Sequence, residues 1–219
     1  TQKLLVFAIQ FIFKSMKNKV KIIAEIGVNH NGSLELAKKL ILKCKNAGVD
    51  YVKFQSYITE ELVNKKATLA NYQKKNRFKN QFELLKKYEM SLPFQKNIIK
   101  FCKKKKIKFL STPFDLKSLY FLKKYVDFVK ISSTDTQNYQ ILSEAVKIKK
   151  KIILSTGMSS YQEISNSLRF LFKKGLIKKN LCILHCVSDY PARIEDLNLN
   201  FILYLKKKIF CRCGLLRSF

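Results

Sequence analysis

Polar side chains that could bind or transform a ligand recur at the ends of short apolar runs. They comprise two lysines, hydroxyl groups, two carboxylates, an amide and a phenol: Lys53, Lys130, Thr112, Ser133, Ser155, Ser188, Glu25, Asp135, Gln55 and Tyr190. Lysines and hydroxyl groups suit a small phosphate ester with two negative charges, because charge-assisted hydrogen bonds hold such an anion. The carboxylates and Gln55 suit a polyhydroxylated partner.

Each of these residues also has a simpler interpretation. A lysine after a strand is commonly a surface charge, and the segments STPF and STG can be ordinary turns. His185 lies between apolar neighbours and is expected to be a hydrogen-bonded core residue rather than a ligand. The functional interpretation therefore rests on the shared position of the polar residues, not on any one of them.

The apolar runs that carry these residues alternate with segments of helical periodicity. The runs span 21–27, 51–56, 107–114, 128–133, 151–157 and 181–188. Continuous apolar runs are typical of strands buried on both faces, as in a parallel sheet. Between the first two runs, Ser33 is expected to cap a helix and Gly48 to end it. The alternation predicts an α/β fold.

The distribution of polar residues distinguishes two kinds of α/β fold. A doubly wound sheet gathers its site at one crevice, whereas a (β/α)₈ TIM barrel gathers residues from nearly every strand end at one face. Six polar run ends favour the barrel, and the first turn, GVNHNGS, lacks the dinucleotide-binding glycine pattern. The one long connection, from Tyr57 to Gln81, is expected to be functional or mobile.

Composition raises a nucleic-acid alternative. The formal net charge is +29, from 44 Lys and Arg against 15 Asp and Glu. Clustered basic charge would indicate phosphate-backbone binding. The basic residues are instead spread along the chain, so we expect a solvated basic surface and no nucleic-acid partner.

Cysteines and the apolar start of the chain bear on its compartment. The six cysteines lack zinc-site spacing, and the chain has only two histidines, so reduced thiols in a cytoplasmic protein are expected. The run Leu4 to Phe13 is too short to cross a bilayer, and no membrane partner is expected. Residues 1–15 are interpreted as a non-native upstream segment in preference to a signal peptide leader, with Met16 as a natural start.

Six segments, in this order and spacing, resemble the N-terminal barrel of the sialic acid synthase family, which includes N-acetylneuraminate and legionaminic acid synthases. They are IIAEIGVNHNGS, AGVDYVKFQS, FLSTPFD, YVDFVKISSTDTQNY, IILSTGMSS and LHCVSDYPARIEDLNL. The resemblance implies condensation of phosphoenolpyruvate with an N-acetylated hexosamine, such as N-acetylmannosamine, to a nonulosonic acid with release of phosphate. It also implies a homodimer for full-length members.

The resemblance assigns a role to each matching residue. Those that would hold phosphoenolpyruvate are Lys53, Thr112, Lys130, Ser133 and Ser155, and those that would face the open-chain sugar are Glu25, Gln55 and Tyr190. Asp135 would assist water attack or proton transfer, and Ser188 would touch either substrate. Thr134 stands where the family pattern usually has glycine, and its side chain is expected to crowd the turn that aims Ser133 and Asp135.

The resemblance also implies a manganese or magnesium ion that polarises the sugar aldehyde. The family's two histidine ligands follow later in its pattern, so no metal ligand is assigned here, and His30 and His185 belong to other motifs. A complete barrel needs about 250 residues. The prediction is a truncated barrel over 16–213 with about seven of eight strand regions, a frameshifted tail over 214–219, and no activity of this chain alone. The alternatives are a non-catalytic phosphate-ligand binding module and a basic nucleic-acid-binding domain.

Overall fold

All six apolar runs are strands in the computed structural model, which describes residues 8–12, 20–69, 78–188, 192–209 and 212–217. The strands are β1 (Ala8–Ile12), β2 (Lys21–Gly27), β3 (Tyr51–Ser56), β4 (Lys108–Pro113), β5 (Phe128–Ile131), β6 (Lys151–Ser155), β7 (Leu181–Cys186) and β8 (Arg212–Arg217). The helices are α1 (Leu34–Asn46), α2 (Thr59–Leu62), α3 (Gln81–Tyr88), α4 (Leu92–Lys104), α5 (Leu116–Leu122), α6 (Tyr139–Lys147), α7 (Tyr161–Lys173) and α8 (Asn200–Ile209).

The strands form one sheet in the order β4-β3-β2-β1-β8-β7-β6-β5. Strands β2 to β4 pair in parallel, as do β5 to β8. The two end strands, β4 and β5, also contact each other, and Lys108 Nζ lies 2.7 Å from Asp127 Oδ2 beside that contact. The fold is therefore α/β and barrel-like, and the carboxyl ends of its parallel strands meet at one face, here named the carboxyl face.

Strand β1 belongs to the segment interpreted as non-native and was not predicted. It pairs antiparallel with both β2 and β8 and so lies between the first and last parallel strands of the chain. The signal for it was the apolar run Leu4 to Phe13, since a short apolar run suits a buried strand as well as a leader. An antiparallel partner brings no carboxyl end to the carboxyl face.

Helix α1 follows its predicted caps. The Ser33 side chain accepts a hydrogen bond from the backbone N–H of Leu36 at the helix start. Gly48, directly after the helix, has a φ of +78°, a conformation that glycine adopts without steric cost. The capped helix packs its buried stripe, which includes Leu40 and Ile41, on the outer face of the sheet.

The apolar core divides into two clusters. One joins β2, β3 and β4 to α1 and α4 and contains Phe54 and Ile98. The other joins β5 to β8 with α6, α7 and α8 and contains Leu142 and Ile164. Side chains alternate along a strand. Lys53 and Gln55, which flank Phe54 on β3, therefore point to the side of the sheet opposite to Phe54.

The described cysteines match the expected buried thiols. The described cysteines are buried and form no disulfide bond with one another: Cys44, Cys102, Cys182, Cys186 and Cys213; Cys211 lies outside the described residues. Within the ranges given above, no helix has the length and apolar character needed to cross a membrane.

Candidate active site

The candidate site consists of two groups of contacting side chains, and Lys53 is the centre of the first group. Its side chain is buried on β3, and its ammonium group forms an ion pair with Glu25 on the neighbouring strand β2. The same Nζ donates a hydrogen bond to Thr112 Oγ1 on β4 at 3.0 Å. Three adjacent strands thus contribute side chains to one group of polar contacts, as expected if polar strand ends gather at one face.

Lys130 is the centre of the second group, on β5. Only 2% of this residue is exposed. Its Nζ donates to Ser155 Oγ on β6 at 2.5 Å and to the backbone carbonyl of Ile131 at 2.9 Å. Burial and then the positive charge of Lys53 lower the pKa of Lys130 from 10.5 to about 7. The charge of Lys53 thus acts on Lys130, and a bound anion would relieve the repulsion between the two ammonium groups.

Ser133 and Ser188 meet at Gly157, a residue not singled out from the sequence. The Gly157 N–H donates to Ser133 Oγ at 3.0 Å. A Cβ added to Gly157 would lie 2.5 Å from Ser188 Oγ, which would have to shift, and at a tight 3.0 Å from Ser133 Oγ. A larger residue here would therefore disturb the two serines at the point where the segments after β5, β6 and β7 converge.

Asp135 ends the 3₁₀ turn Ser133–Asp135 and is 9% exposed. Its Oδ1 accepts a hydrogen bond from Asn138 Nδ2 at 3.0 Å, and its Oδ2 is buried without a partner. Burial raises the pKa of Asp135, against the opposing effects of the Asn138 hydrogen bond and the Lys130 charge. A carboxyl group in this state can hold or accept a proton.

Thr134 does not crowd this turn, contrary to the expectation. Its side chain is exposed, and its hydroxyl donates to Ser132 Oγ at 3.0 Å. Its φ is not among the positive values in the chain, so the position does not require glycine. The loss of the family's usual glycine is therefore accommodated by a turn that any residue can adopt.

The remaining predicted residues are more open. Gln55 is half-buried near the end of β3, in register with Thr112, and Ser188 is exposed. Glu25 Oε1 is buried without a partner, while its other oxygen lies at the Lys53 ion pair. Tyr190 lies outside the described residues, so its predicted contact with the sugar stays a prediction.

Neither described histidine is arranged as a metal ligand. His30 is buried against Phe54 and Phe94, its Nδ1 accepts the Gly32 N–H at 3.0 Å, and burial lowers its pKa to about 4. His185 Nε2 lies 2.8 Å from the Leu197 carbonyl oxygen, as a core residue should. Among the described residues, no group of three or more His, Cys, Asp and Glu side chains could hold a metal ion. These residues do not fit the implied metal.

Comparison with known proteins relates the chain and its candidate site to a protein family. Residues 40–216 match the model of the NeuB family. The chain is 43% identical over 191 residues to the N,N'-diacetyllegionaminic acid synthase of Campylobacter jejuni, covering 86% of this chain and 57% of that protein. It is 32% identical over 183 residues to the human N-acetylneuraminate-9-phosphate synthase, covering 83% and 50%.

A solved structure shares the architecture. The N-acetylneuraminic acid (sialic acid) synthetase of Leptospira borgpetersenii, crystallised with citrate, superposes with a TM-score of 0.74 at 32% identity over 91% of this chain and 67% of that one. The chain spans about half the length of the curated relatives it matches. A family match over most of the sequence, together with the same fold, leads to one conclusion: this chain belongs to the NeuB family.

Proposed function

We propose that the chain carries the phosphoenolpyruvate-binding part of a nonulosonic acid synthase. The observation that supports this most strongly is the pair of buried lysines, Lys53 and Lys130, each donating to a hydroxyl group on the next strand. The two buried ammonium groups repel each other, and a small ligand with phosphate and carboxylate charges would offset that repulsion. The two relatives compared above are named as synthases of N,N'-diacetyllegionaminic acid and of N-acetylneuraminate 9-phosphate, which agrees with such a substrate.

The reaction we propose joins phosphoenolpyruvate to the open-chain form of an N-acetylated hexosamine. The enol carbon C3 forms a bond to the sugar aldehyde carbon, water adds at C2, and inorganic phosphate leaves. The phosphate and carboxylate groups would be held by Lys53, Lys130, Thr112, Ser133 and Ser155. The sugar would contact Glu25 and Gln55. The sugar identity is proposed only at the level of an N-acetylated hexosamine.

Asp135 is proposed to handle the proton of the attacking water. Its Oδ2 lacks a partner, and burial raises the pKa of this carboxyl group. A raised pKa makes the carboxylate a better base for a water molecule near C2. The Asn138 hydrogen bond to Oδ1 fixes its orientation.

Calorimetric titration with phosphoenolpyruvate tests the proposed binding. Lys53→Met and Lys130→Met should each weaken binding about tenfold or more, on the scale of losing one charge-assisted hydrogen bond. Lys151→Met is the matched control, because Lys151 is an exposed lysine at the opposite end of the strand that carries Ser155. Equal affinity in all four proteins would overturn the proposal. Lysine-dependent binding with no turnover when an N-acetylated hexosamine is added would instead support a non-catalytic binding module.

A further inference from the structure

The outer face of β3 and β4 carries a buried network of hydrogen-bonded side chains directly behind the candidate site. We name this network, formed by Ser56, Ser111 and Gln95, the relay. Ser56 and Ser111 lie one residue from Gln55 and Thr112 and therefore point to the opposite side of the sheet. The two serine Oγ atoms are 2.7 Å apart, and both residues are buried. The serines cross-link the two strands that hold Lys53 and its hydroxyl partner.

Gln95 on α4 completes the relay. Its hydrogen bonds determine which group is the donor in each hydrogen bond of the relay. Its Nε2 donates to the carbonyl oxygen of Met90 at 2.9 Å, so its Oε1 must be the atom that faces Ser56. Ser56 Oγ donates to that Oε1 at 2.8 Å. The Ser56 hydroxyl has then used its hydrogen, so Ser111 must donate to it.

All the side chains in this relay are buried and satisfied. Gln95 is 4% exposed, Ser56 0% and Ser111 1%. A buried polar network with a single consistent orientation fixes geometry, because any displacement leaves a buried polar atom without a partner. Ser111 therefore belongs to this relay, whereas its neighbour Thr112 points to the candidate site and accepts a hydrogen bond from Lys53.

We propose that Gln95 is a positioning residue that holds the carboxyl ends of β3 and β4 in the register required by Lys53 and Thr112. It touches neither of these side chains; it acts through Ser56 and Ser111 on the other face of the same two strands. The site residues Gln55 and Thr112 pair in register, directly between the two cross-strand pairs that contain Ser111 and Ser56. The expected effect on phosphoenolpyruvate binding rests on the proposed function, whereas the expected effect on β3 and β4 does not.

The test compares three variants of the full chain. Gln95→Met keeps the side-chain length and removes both hydrogen bonds. The triple variant Gln95→Met, Ser56→Ala, Ser111→Ala removes the whole relay and leaves no serine hydroxyl unsatisfied, so its stability should recover toward the wild-type value. Ile98→Val is the control, because Ile98 lies fully buried on the same helix and loses one methyl group without touching the relay.

Two measurements separate positioning from simple structural support. In calorimetric titrations, phosphoenolpyruvate binding should weaken about tenfold in both Gln95→Met and the triple variant, because small displacements of binding groups have large effects, and stay unchanged in Ile98→Val. In hydrogen–deuterium exchange without ligand, both relay variants should exchange faster at residues 51–56 and 108–113 than Ile98→Val.

Each outcome decides something. Wild-type affinity in the triple variant, or recovery of affinity together with stability, overturns the positioning role. If the wild-type chain does not bind phosphoenolpyruvate, the proposed function fails, and the exchange data alone then decide the inference. Faster exchange confined to β3 and β4 supports the relay, and unchanged exchange refutes it.

Discussion

Lys130 Nζ donates a 2.5 Å hydrogen bond to Ser155 Oγ across the β5–β6 pair, and the positive charge of Lys53 acts on the same ammonium group. A hydroxyl group and a backbone carbonyl stabilise an ammonium ion less than a carboxylate does. The charged form of Lys130 is therefore poorly compensated in the free protein. An anionic ligand would supply the negative charge that compensates the Lys130 ammonium group.

This relationship predicts proton uptake on ligand binding. With a pKa of about 7 in the free protein, Lys130 is roughly nine-tenths neutral at about pH 8. A bound anion raises that pKa, so phosphoenolpyruvate binding at about pH 8 should take up nearly one proton, and affinity should fall as pH rises above about 7. Lys53 lowers the same pKa, whereas Glu25, Cys182 and Cys186 raise it.

Calorimetry in buffers of different ionisation enthalpy measures this uptake. Lys130→Met should bind weakly and without proton uptake. Equal uptake by the wild type and Lys130→Met would assign the proton to another group, and no uptake by the wild type would refute the prediction.

The Lys53–Glu25 ion pair predicts a stability cycle. The residue Lys53 is 4% exposed, so removing one partner leaves the other poorly compensated. Lys53→Met and Glu25→Leu should each lower the free energy of unfolding by about 2 kcal/mol or more, while the double variant should be more stable than either single one. Urea unfolding of the four proteins provides the values, and strictly additive losses would contradict the prediction.

Gly157 predicts a strong effect from one methyl group. Gly157→Ala should weaken phosphoenolpyruvate binding about tenfold, because the new Cβ would lie 2.5 Å from Ser188 Oγ and displace it and Ser133. Adding Ser188→Ala removes the nearest atom, so the double variant should unfold at a higher urea concentration than Gly157→Ala. A double variant no more stable than the single one would show that this close approach is not the cause.

His30 predicts a pH-dependent loss of stability. Its pKa is about 4 in the folded chain against 6.5 for the unfolded group, because burial disfavours the charged form. The unfolded state binds the extra proton between these values, so stability is full above pH 6.5 and is lost as pH falls toward about 4. The loss should reach ~3 kcal/mol relative to His30→Gln, which cannot titrate. Parallel stability–pH curves for the two proteins, measured by urea unfolding, would contradict it.

Much of the fold followed from the periodicity of the sequence. Continuous apolar runs located the strands to within a few residues, since strands buried on both faces have no polar alternation. The gathering of Lys53, Thr112, Lys130 and Ser155 at one face followed from the rule that parallel strands end at one face, but their individual contacts did not. The family resemblance added the ligand chemistry.

The features that the sequence did not predict depend on contacts between distant segments. Gly157 matters because three strand ends converge on it, and Gln95 because α4 packs behind β3. The antiparallel pairing of β1 requires two partners nearly 200 residues apart along the chain. The direction of Ser111 could have been predicted, because it lies one residue from Thr112 in a strand of period two.

The most direct test of the central claim is the location of phosphoenolpyruvate in a crystal structure of this chain grown with the ligand. We predict that its phosphate and carboxylate oxygens lie within hydrogen-bonding distance of Lys53 Nζ and Lys130 Nζ, with Thr112 and Ser155 hydroxyl groups as neighbours. Phosphoenolpyruvate bound away from the carboxyl face, or contacting neither lysine, would contradict the claim.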